Sequence, residues 1–506
     1  QTCDLPIFNI FYMKNNFNKI TKMFLAIGTI AMLFGCSKTF LDQKPYNSVV
    51  LSDAIKTEDD MSTALTGLYA SLRATDFYGR TYAVKGDLMA DKCFLSSANS
   101  GRYISFNLYN FTKTDGYASA VWQNGYNAIK NANFIINAGL DPATNTNVSQ
   151  LLSEAYAIRG LIYFDLVRNF GLPYTTDPSS PGVPIVTKFD VNSKPARNTV
   201  AEVYAQVIAD LTKAISLAKF NQGQTMNFTL TAKTRPLNSS FMTKYAAETL
   251  LARVYQHKGD WVNAKAAALD VINNSGFSLV TSANVISYWK GASPLTSKTE
   301  TMFEVTSDAN NQVGDGTLAV FLIPKPGGGA YGDMLATKAF YDSYTATDTR
   351  KGLISPDVRS GQLGTAHYIV KYPIDNVNLD DVKIVRFSEA YLILAEAYYN
   401  LGDVANANAT LNKFAVNRDP KAAYANSGAQ VLTDILDERA KEFAFEGYRF
   451  WDLTRLGYTF VKPQGQDATN AISLKITVAP GNPNLLFPIP NDEILVNPNV
   501  SQNAGY

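Results

Sequence analysis

Apolar residues recur at three- and four-residue steps through much of the chain, the spacing of one helical face. Met61, Leu65, Leu68, Tyr69 and Leu72 predict a first helix over 59–72. Trp122, Tyr126, Ile129, Asn133 and Ile136 predict a second, and Trp122 falls in its core register. Tyr156, Leu161, Tyr163, Phe164 and Leu166 predict a third over 149–170, which Gly171-Leu172-Pro173 ends. A short loop joins these last two, so they are expected to lie antiparallel. A connector rich in Pro, Ser and Asp covers 176–195. Thr199 and Glu202 then have capping-box spacing, and Val203, Val207, Leu211 and Ala214 continue a helical face behind them.

The most patterned stretch is 437–455. Leu436, Ala440, Phe443 and Gly447 form an apolar face, and Glu438, Glu442 and Glu446 form a carboxylate stripe at i, i+4, i+8. Arg439, Arg449, Asp452 and Arg455 add further charge beside it. Carboxylates stacked on one helix suit metal ligation or acid–base work. Metal-binding helices of that kind usually add a Glu-x-x-His, which this stretch lacks. The favoured reading is a structural Arg–Glu network that closes a helix pair, with these seven charged residues as its members.

Two separated segments share one pattern, Ala-x2-Tyr-x3-Gly-Asp-x3-Ala, from Ala252 to Ala264 and from Ala395 to Ala407. Small residues where helices cross, an aromatic in the groove and glycine at the turn are tetratricopeptide features. The copies are far apart in sequence, so helix pairs interrupted by large insertions are expected. His257, beside the first turn, is read as solvated, and Trp261 as packing.

Two stretches lack helical period. Residues 77–114 mix aromatic, amide and charged side chains, including Tyr78, Arg80, Asn99, Arg102 and Tyr103. Such loops serve either as binding surface or as irregular cover. The second stretch, 275–381, holds Trp289, Gly327-Gly328-Gly329 and Tyr331. No Gly-Lys-Ser/Thr follows the glycines, so they form no phosphate loop. Trp289 lies outside clear helical register, as a stacking platform or as an anchor of the loop. Tyr78, Arg80, Asn99, Arg102, Tyr103, Trp289 and Tyr331 are therefore the candidate ligand-binding residues.

Composition narrows the function. The 506 residues are 46% hydrophobic and 18% charged, with a formal net charge of +1, which speaks against nucleic-acid binding. Aromatics make up 12%. The three cysteines, Cys3, Cys36 and Cys93, form no Cys-x-x-Cys pair, and the two histidines, His257 and His367, are remote from them in sequence. No zinc site, Cys/His nucleophile or cofactor is expected. Cys93 is read as a lone buried thiol.

The N-terminal region reads as an address. Lys14, Lys19 and Lys22 precede the apolar run Met23 to Phe34, too short for a membrane span and suited to a signal core. Leu33-Phe34-Gly35-Cys36 resembles a bacterial lipobox, making Cys36 the expected lipidated residue. Residues 1–12, ahead of Met13, are read as upstream read-through.

The pattern Glu438-Arg439, Glu442, Phe445-Glu446-Gly447, Arg449, Asp452-Leu453, Arg455 resembles the C-terminal signature of the SusD/RagB family of nutrient-binding surface lipoproteins. Arg197 to Tyr204, Asp348-Thr349-Arg350, Val385 to Leu392 and the ending from Leu486-Phe-Pro-Ile-Pro490 to Tyr506 are similar to further family positions. The resemblance covers 36–506. It implies a mainly α fold of irregular tetratricopeptide-like helix pairs with large loop insertions and little β. It divides the chain into a signal peptide over 13–35, an N-terminal part over 36–330 and a C-terminal part over 331–506, the last two forming one body. It also implies a non-catalytic outer membrane lipoprotein, facing the cell exterior, that delivers oligosaccharide to a SusC/RagA-type TonB-dependent transporter. A peptide ligand is the alternative. From the residues alone a surface glycoside hydrolase and a protein-binding tetratricopeptide adaptor stay open, because a carboxylate pair is not excluded by sequence.

Overall fold

Helices occupy the stretches where the apolar period is sustained. In chain order these are α1 (Glu58–Ser71), α2 (Thr81–Leu88), α3 (Gly116–Ile136), α4 (Thr146–Phe170) and α5 (Val200–Leu217). They continue with α6 (Lys244–Lys258), α7 (Trp261–Asn274), α8 (Phe387–Asn400), α9 (Val404–Ala415), α10 (Ala429–Glu442) and α11 (Arg449–Arg455). The computed structural model describes residues 54–290, 298–307, 313–323, 331–358, 365–372, 381–463 and 476–506. Segments 1–12 and 13–35, Cys3, Cys36 and Gly327-Gly328-Gly329 lie outside the described residues.

The helix starts follow local chemistry. Thr57 and Asp60 cap α1 reciprocally. Thr199 and Glu202 do the same for α5, with Thr199 N–H donating to Glu202 at 2.8 Å and Glu202 N–H to Thr199 at 3.2 Å. Helix α4 is buried along almost its whole length, as expected of a helix apolar all round. Its contact with α5 is close because Gly160 faces Leu211, where an added Cβ would stand 3.1 Å from Leu211 Cγ. The hydroxyls of Ser149 and Ser153 donate to the carbonyls of Leu217 and Ala214, each at 2.7 Å. Trp122 is in the core, and its indole N–H donates to Glu493.

The two repeat copies meet in space. Ala252, Ala264 and Ala268 of α6–α7 form a satellite core with Ile393, Leu394 and Ala397 of α8, and Trp261 packs against it. Small side chains at the crossing allow this approach. Gly259 and Gly402 take positive φ, 75° and 81°, and end the first helix of each pair. Asp260 and Asp403 then cap the second helix through Asn263 N–H and Asn406 N–H. His257 is a correction. It is buried at 6% exposure with its ring edge-on to Phe164, and burial lowers its pKa well below the ordinary value.

The insertions contribute short strands. β1 (Cys93–Leu95), β2 (Thr301–Val305), β3 (Met334–Ala336), β4 (Ile354–Val358), β5 (Thr365–Ile369) and β6 (Val382–Arg386) form two antiparallel sheets, ordered β1-β3-β5-β4 and β2-β6. In the first, Phe94 stands opposite Leu335. That register carries the turns after β1 and before β3 side by side.

Helix α2 crosses the 445–447 turn with glycine on both sides. A Cβ at Gly86 would lie 1.9 Å from the Gly447 carbonyl oxygen, and Gly447 has φ +83°. Asp87 accepts the Gly447 N–H at 2.6 Å. Burial raises its carboxyl to about 7. A folded pKa above the unfolded one means stability that is full at low pH and lost as pH rises from about 4 to about 7. Asp87→Asn is therefore expected to gain stability relative to the parent across that window, by about 1.4 kcal/mol per pH unit. Urea titrations at pH 4.5 and 7.5 check this, and an equal difference at both would contradict it.

The tail straps the ends of earlier helices. Phe487 N–H donates to the Asn169 carbonyl at 2.8 Å, and Arg197 donates to the Ser501 carbonyl at 3.0 Å.

Candidate ligand-binding site

A buried ion network is centred on Glu438 and Glu442 of α10 and on Glu446 in the turn that follows it. Glu442 accepts from Arg386 at 2.7 Å and from Arg418 at 2.8 and 2.9 Å, with Arg350 at 3.4 Å. Glu446 accepts from Arg386 and Lys371, at 2.7 and 2.6 Å. Glu438 takes Arg350 at 3.0 Å. Burial alone would raise the Glu442 carboxyl, but Arg418 and Arg386 hold it well below the usual carboxylate range. Burial lowers Lys371 to about 8 despite Glu446. Arg439 and Arg455 both hold Asp452, and Arg455 reaches Glu396 on α8 at 2.6 Å. Arg449 holds Asp91, just ahead of β1, at 2.8 Å. Each carboxylate of the stripe is thus committed to cations of this chain. Among the described residues no cluster of His, Cys, Asp or Glu could hold a metal ion.

Two expected ligand platforms are buried and are corrected. Trp289 is 4% exposed, with Lys371 4.0 Å and Lys383 4.8 Å from its ring and Tyr372 at its edge. A ring so enclosed anchors its segment to the network and offers no open face. Tyr78 is 2% exposed, stacks on Tyr82 at 4.6 Å and donates its hydroxyl to Asp165 at 2.5 Å. It lines a cavity of about 50 Å³, room for water and not for a sugar ring.

The other candidates come together at one place. After β1 the turn is set by Asn99, whose side chain donates to the Ser96 carbonyl at 2.6 Å and accepts Gly101 N–H at 2.8 Å. Asp333, just before β3, fixes the same turn by accepting Ser100 N–H at 2.9 Å. These bonds bring half-buried Arg102 over half-buried Tyr331. The guanidinium carbon is 3.8 Å from the ring centroid, and Nη2 donates to the phenol oxygen at 2.7 Å. Tyr103 follows in left-handed backbone, φ 56°, fully buried. Its hydroxyl accepts from Arg80 Nε at 2.9 Å, and its ring stacks on Tyr117 at 4.3 Å. Tyr117, in the first turn of α3, is half-buried. Burial raises its phenol, Arg80 and Arg102 pull it down, and Asp76 pushes it up. Arg80 and Tyr103 are thus a buried layer, corrected from exposed loop contacts. Asn99, Arg102 and Tyr331 stand above it.

Sequence reasoning missed Tyr117, Asp333 and Phe321, whose ring meets Tyr103 edge-on at 5.0 Å. Tyr117 reads as an ordinary helical residue. The other two join the site only through the pairing of β1 with β3, which no local pattern announces.

Two clefts compete. One, of about 350 Å³, is lined by Asp91, Lys92, Phe340, Asp437 and Lys441. Its Asp91 is already paired with Arg449 and Lys92, and Phe340 is 4% exposed. The other, of about 200 Å³, lies beside Tyr69, Phe241 and Phe303. There Tyr69 spends its hydroxyl on Glu154 and Met242 N–H, and the Arg235 guanidinium is already paired with Glu154. The Arg102–Tyr331 cluster keeps an aromatic ring, an amide and uncompensated donors together near the surface.

Comparison with known proteins decides the family. Residues 39–256 match the family described as "Starch-binding associating with outer membrane", and residues 371–506 match the SusD family. The chain belongs to the SusD/RagB family. SusD-like protein P2 of Formosa agariphila is 27% identical, over 94% of this chain and 97% of its own length. The starch-binding protein SusD of Bacteroides thetaiotaomicron is 33% identical over a segment covering 25% of this chain and 22% of its own. A solved putative sugar-binding protein from Bacteroides vulgatus superposes with TM-score 0.77 at 30% identity, covering 90% of this chain and 99% of that one. A SusD superfamily protein from Bacteroides thetaiotaomicron gives TM-score 0.77 at 27% identity, over 88% of this chain and 100% of that one. The mainly α SusD-like architecture, with helix pairs and few strands, is that of these neighbours. Carbohydrate binding in nutrient uptake is the function that SusD membership supports. No helix among the described residues is long and apolar enough to cross a membrane.

Proposed function

We propose that this SusD-family chain captures an oligosaccharide at the Arg102–Tyr331 cluster and passes it, unaltered, to a SusC/RagA-type TonB-dependent transporter. Acyl chains on Cys36 hold it to the outer membrane, facing the cell exterior. The observation that carries the binding site is the half-buried Tyr331 ring, held by Arg102 on strand-anchored turns with Asn99 alongside. Aromatic stacking plus fixed amide and guanidinium donors is the chemistry that recognises sugar rings. The uncatalysed role is supported by the α10 carboxylates, which are locked to guanidiniums and are in no position to give or take a proton from substrate.

Titration calorimetry of the chain against an oligosaccharide panel tests this. Tyr331→Ala is expected to weaken binding about tenfold, the loss of one stacking contact. Chromatography of the recovered sugar should show it unshortened. Released product would favour a glycoside hydrolase, and binding of peptide with no glycan would replace the ligand. Mass spectrometry of the mature N-terminal peptide should show acylated Cys36, and pull-down from membranes should recover a TonB-dependent transporter.

A further inference from the structure

Among the described residues every buried arginine except one is in an ion pair, from Arg159 at the α4–α5 contact to Arg455 at the end of α11. The exception is Arg80. It is 5% exposed, and its side chain's one hydrogen bond is from Nε to the neutral Tyr103 hydroxyl. Its guanidinium carbon lies 5.4 and 5.6 Å from the ring centroids of Tyr103 and Phe321. Arg102 is a second cation with neutral partners only, Ser100 Oγ at 3.0 Å and Tyr331 at 2.7 Å. Among the described residues no carboxylate contacts either one directly, and Asp333 reaches Arg102 only through the Ser100 hydroxyl. Asp76 accepts from Thr81 at 3.5 Å, and Asp333 accepts from Ser100 N–H and its hydroxyl. Neither forms an ion pair with Arg80 or Arg102.

A buried guanidinium without a counter-charge is costly to hold. Among the described residues the other buried arginines are all paired, and this unpaired one lies under half-buried Arg102, where a ligand's charge can compensate both. We propose that the site takes an acidic oligosaccharide, with a sugar carboxylate or sulfate seated between Arg80 and Arg102 and the neighbouring ring stacked at Tyr331. Guanidinium donors in a planar fork fit either anion in bidentate fashion. This rests on the binding site proposed above and adds its substrate class.

The experiment compares a neutral malto-oligosaccharide, an oligogalacturonide of equal length and a sulfated oligosaccharide by calorimetry on the full chain, at low and high salt. An anionic sugar is expected to bind about tenfold or more tighter than the neutral one, an advantage that shrinks with salt. The carboxylated and sulfated arms show which anion is preferred. Arg102→Gln, at the half-buried position, should remove most of the advantage, lowering affinity for the anionic sugar about tenfold more than affinity for the neutral one. Arg80→Gln should do the same, with its melting temperature recorded to separate binding from folding. Equal affinity for neutral and anionic sugars, lowered by Tyr331→Ala, overturns the charge class and leaves the site standing. Binding of an acidic peptide alone, or of none of the sugars, overturns both.

Discussion

Glu442→Gln is expected to destabilise the protein by roughly 3–5 kcal/mol, the cost of breaking a buried ion pair from one side. The effect is large because one carboxylate serves Arg386, Arg418 and Arg350. The amide keeps the shape but turns a donor toward guanidiniums that are themselves only donors. It also leaves Arg386 and Arg418 leaning on Glu300 and Glu446 alone. The sign with pH follows from the depressed Glu442 carboxyl. Its contribution is present above the ordinary carboxylate pKa and lost as pH falls through the lower folded value. The gap between parent and variant should therefore be full at pH 7 and should narrow only in acid. Denaturant midpoints at pH 7 and pH 4 measure it, and a midpoint unchanged at pH 7 would show the network to be dispensable.

Gly86→Ala should cost about 3 kcal/mol or more, although alanine is the better helix former by about 1 kcal/mol. The added methyl would meet the Gly447 carbonyl oxygen at 1.9 Å and its Cα at 2.5 Å. Both are backbone, so no side chain can swing aside. Relief requires α2 to leave the 445–447 turn, which removes the Asp87 bond to Gly447 N–H. Gly402→Ala is the internal comparison. Unlike helical Gly86 it has positive φ, but its Cβ meets open space, so only the left-handed backbone cost of about 1–2 kcal/mol applies. Equal losses at the two positions would mean that the crossing is looser than the distances say.

The helical frame was legible because its cues are local. The Thr199–Glu202 box, the apolar steps of α1 and α3 and the Gly-Asp turns at 259–260 and 402–403 each act within a few residues. The pairing of distant copies was half legible. The shared Ala-x2-Tyr pattern announced two helix pairs, while their contact through Ala268 and Leu394 depends on how 275–381 folds between them. The site was legible as composition and not as geometry. Aromatic and amide residues in 77–114 marked a loop surface, yet burial sorted them. Tyr78 turned inward to Asp165, Tyr103 became the floor, and only Asn99 and Arg102 stayed near the surface. Trp289 misled because a short helix, Val285–Lys290, buries it against cations that come from β6 and from Lys371. Such non-local contacts leave no period in the sequence.

The central claim is that sugar is held at the Arg102–Tyr331 cluster of a SusD frame. Hydrogen–deuterium exchange of the chain with and without a bound oligosaccharide tests it most directly. Slowed exchange is expected over 96–103, 116–118 and 331–333. Protection that instead falls over 437–441 with 339–343, or over 240–241 with 305–306, would put the ligand in one of the other clefts and contradict the account.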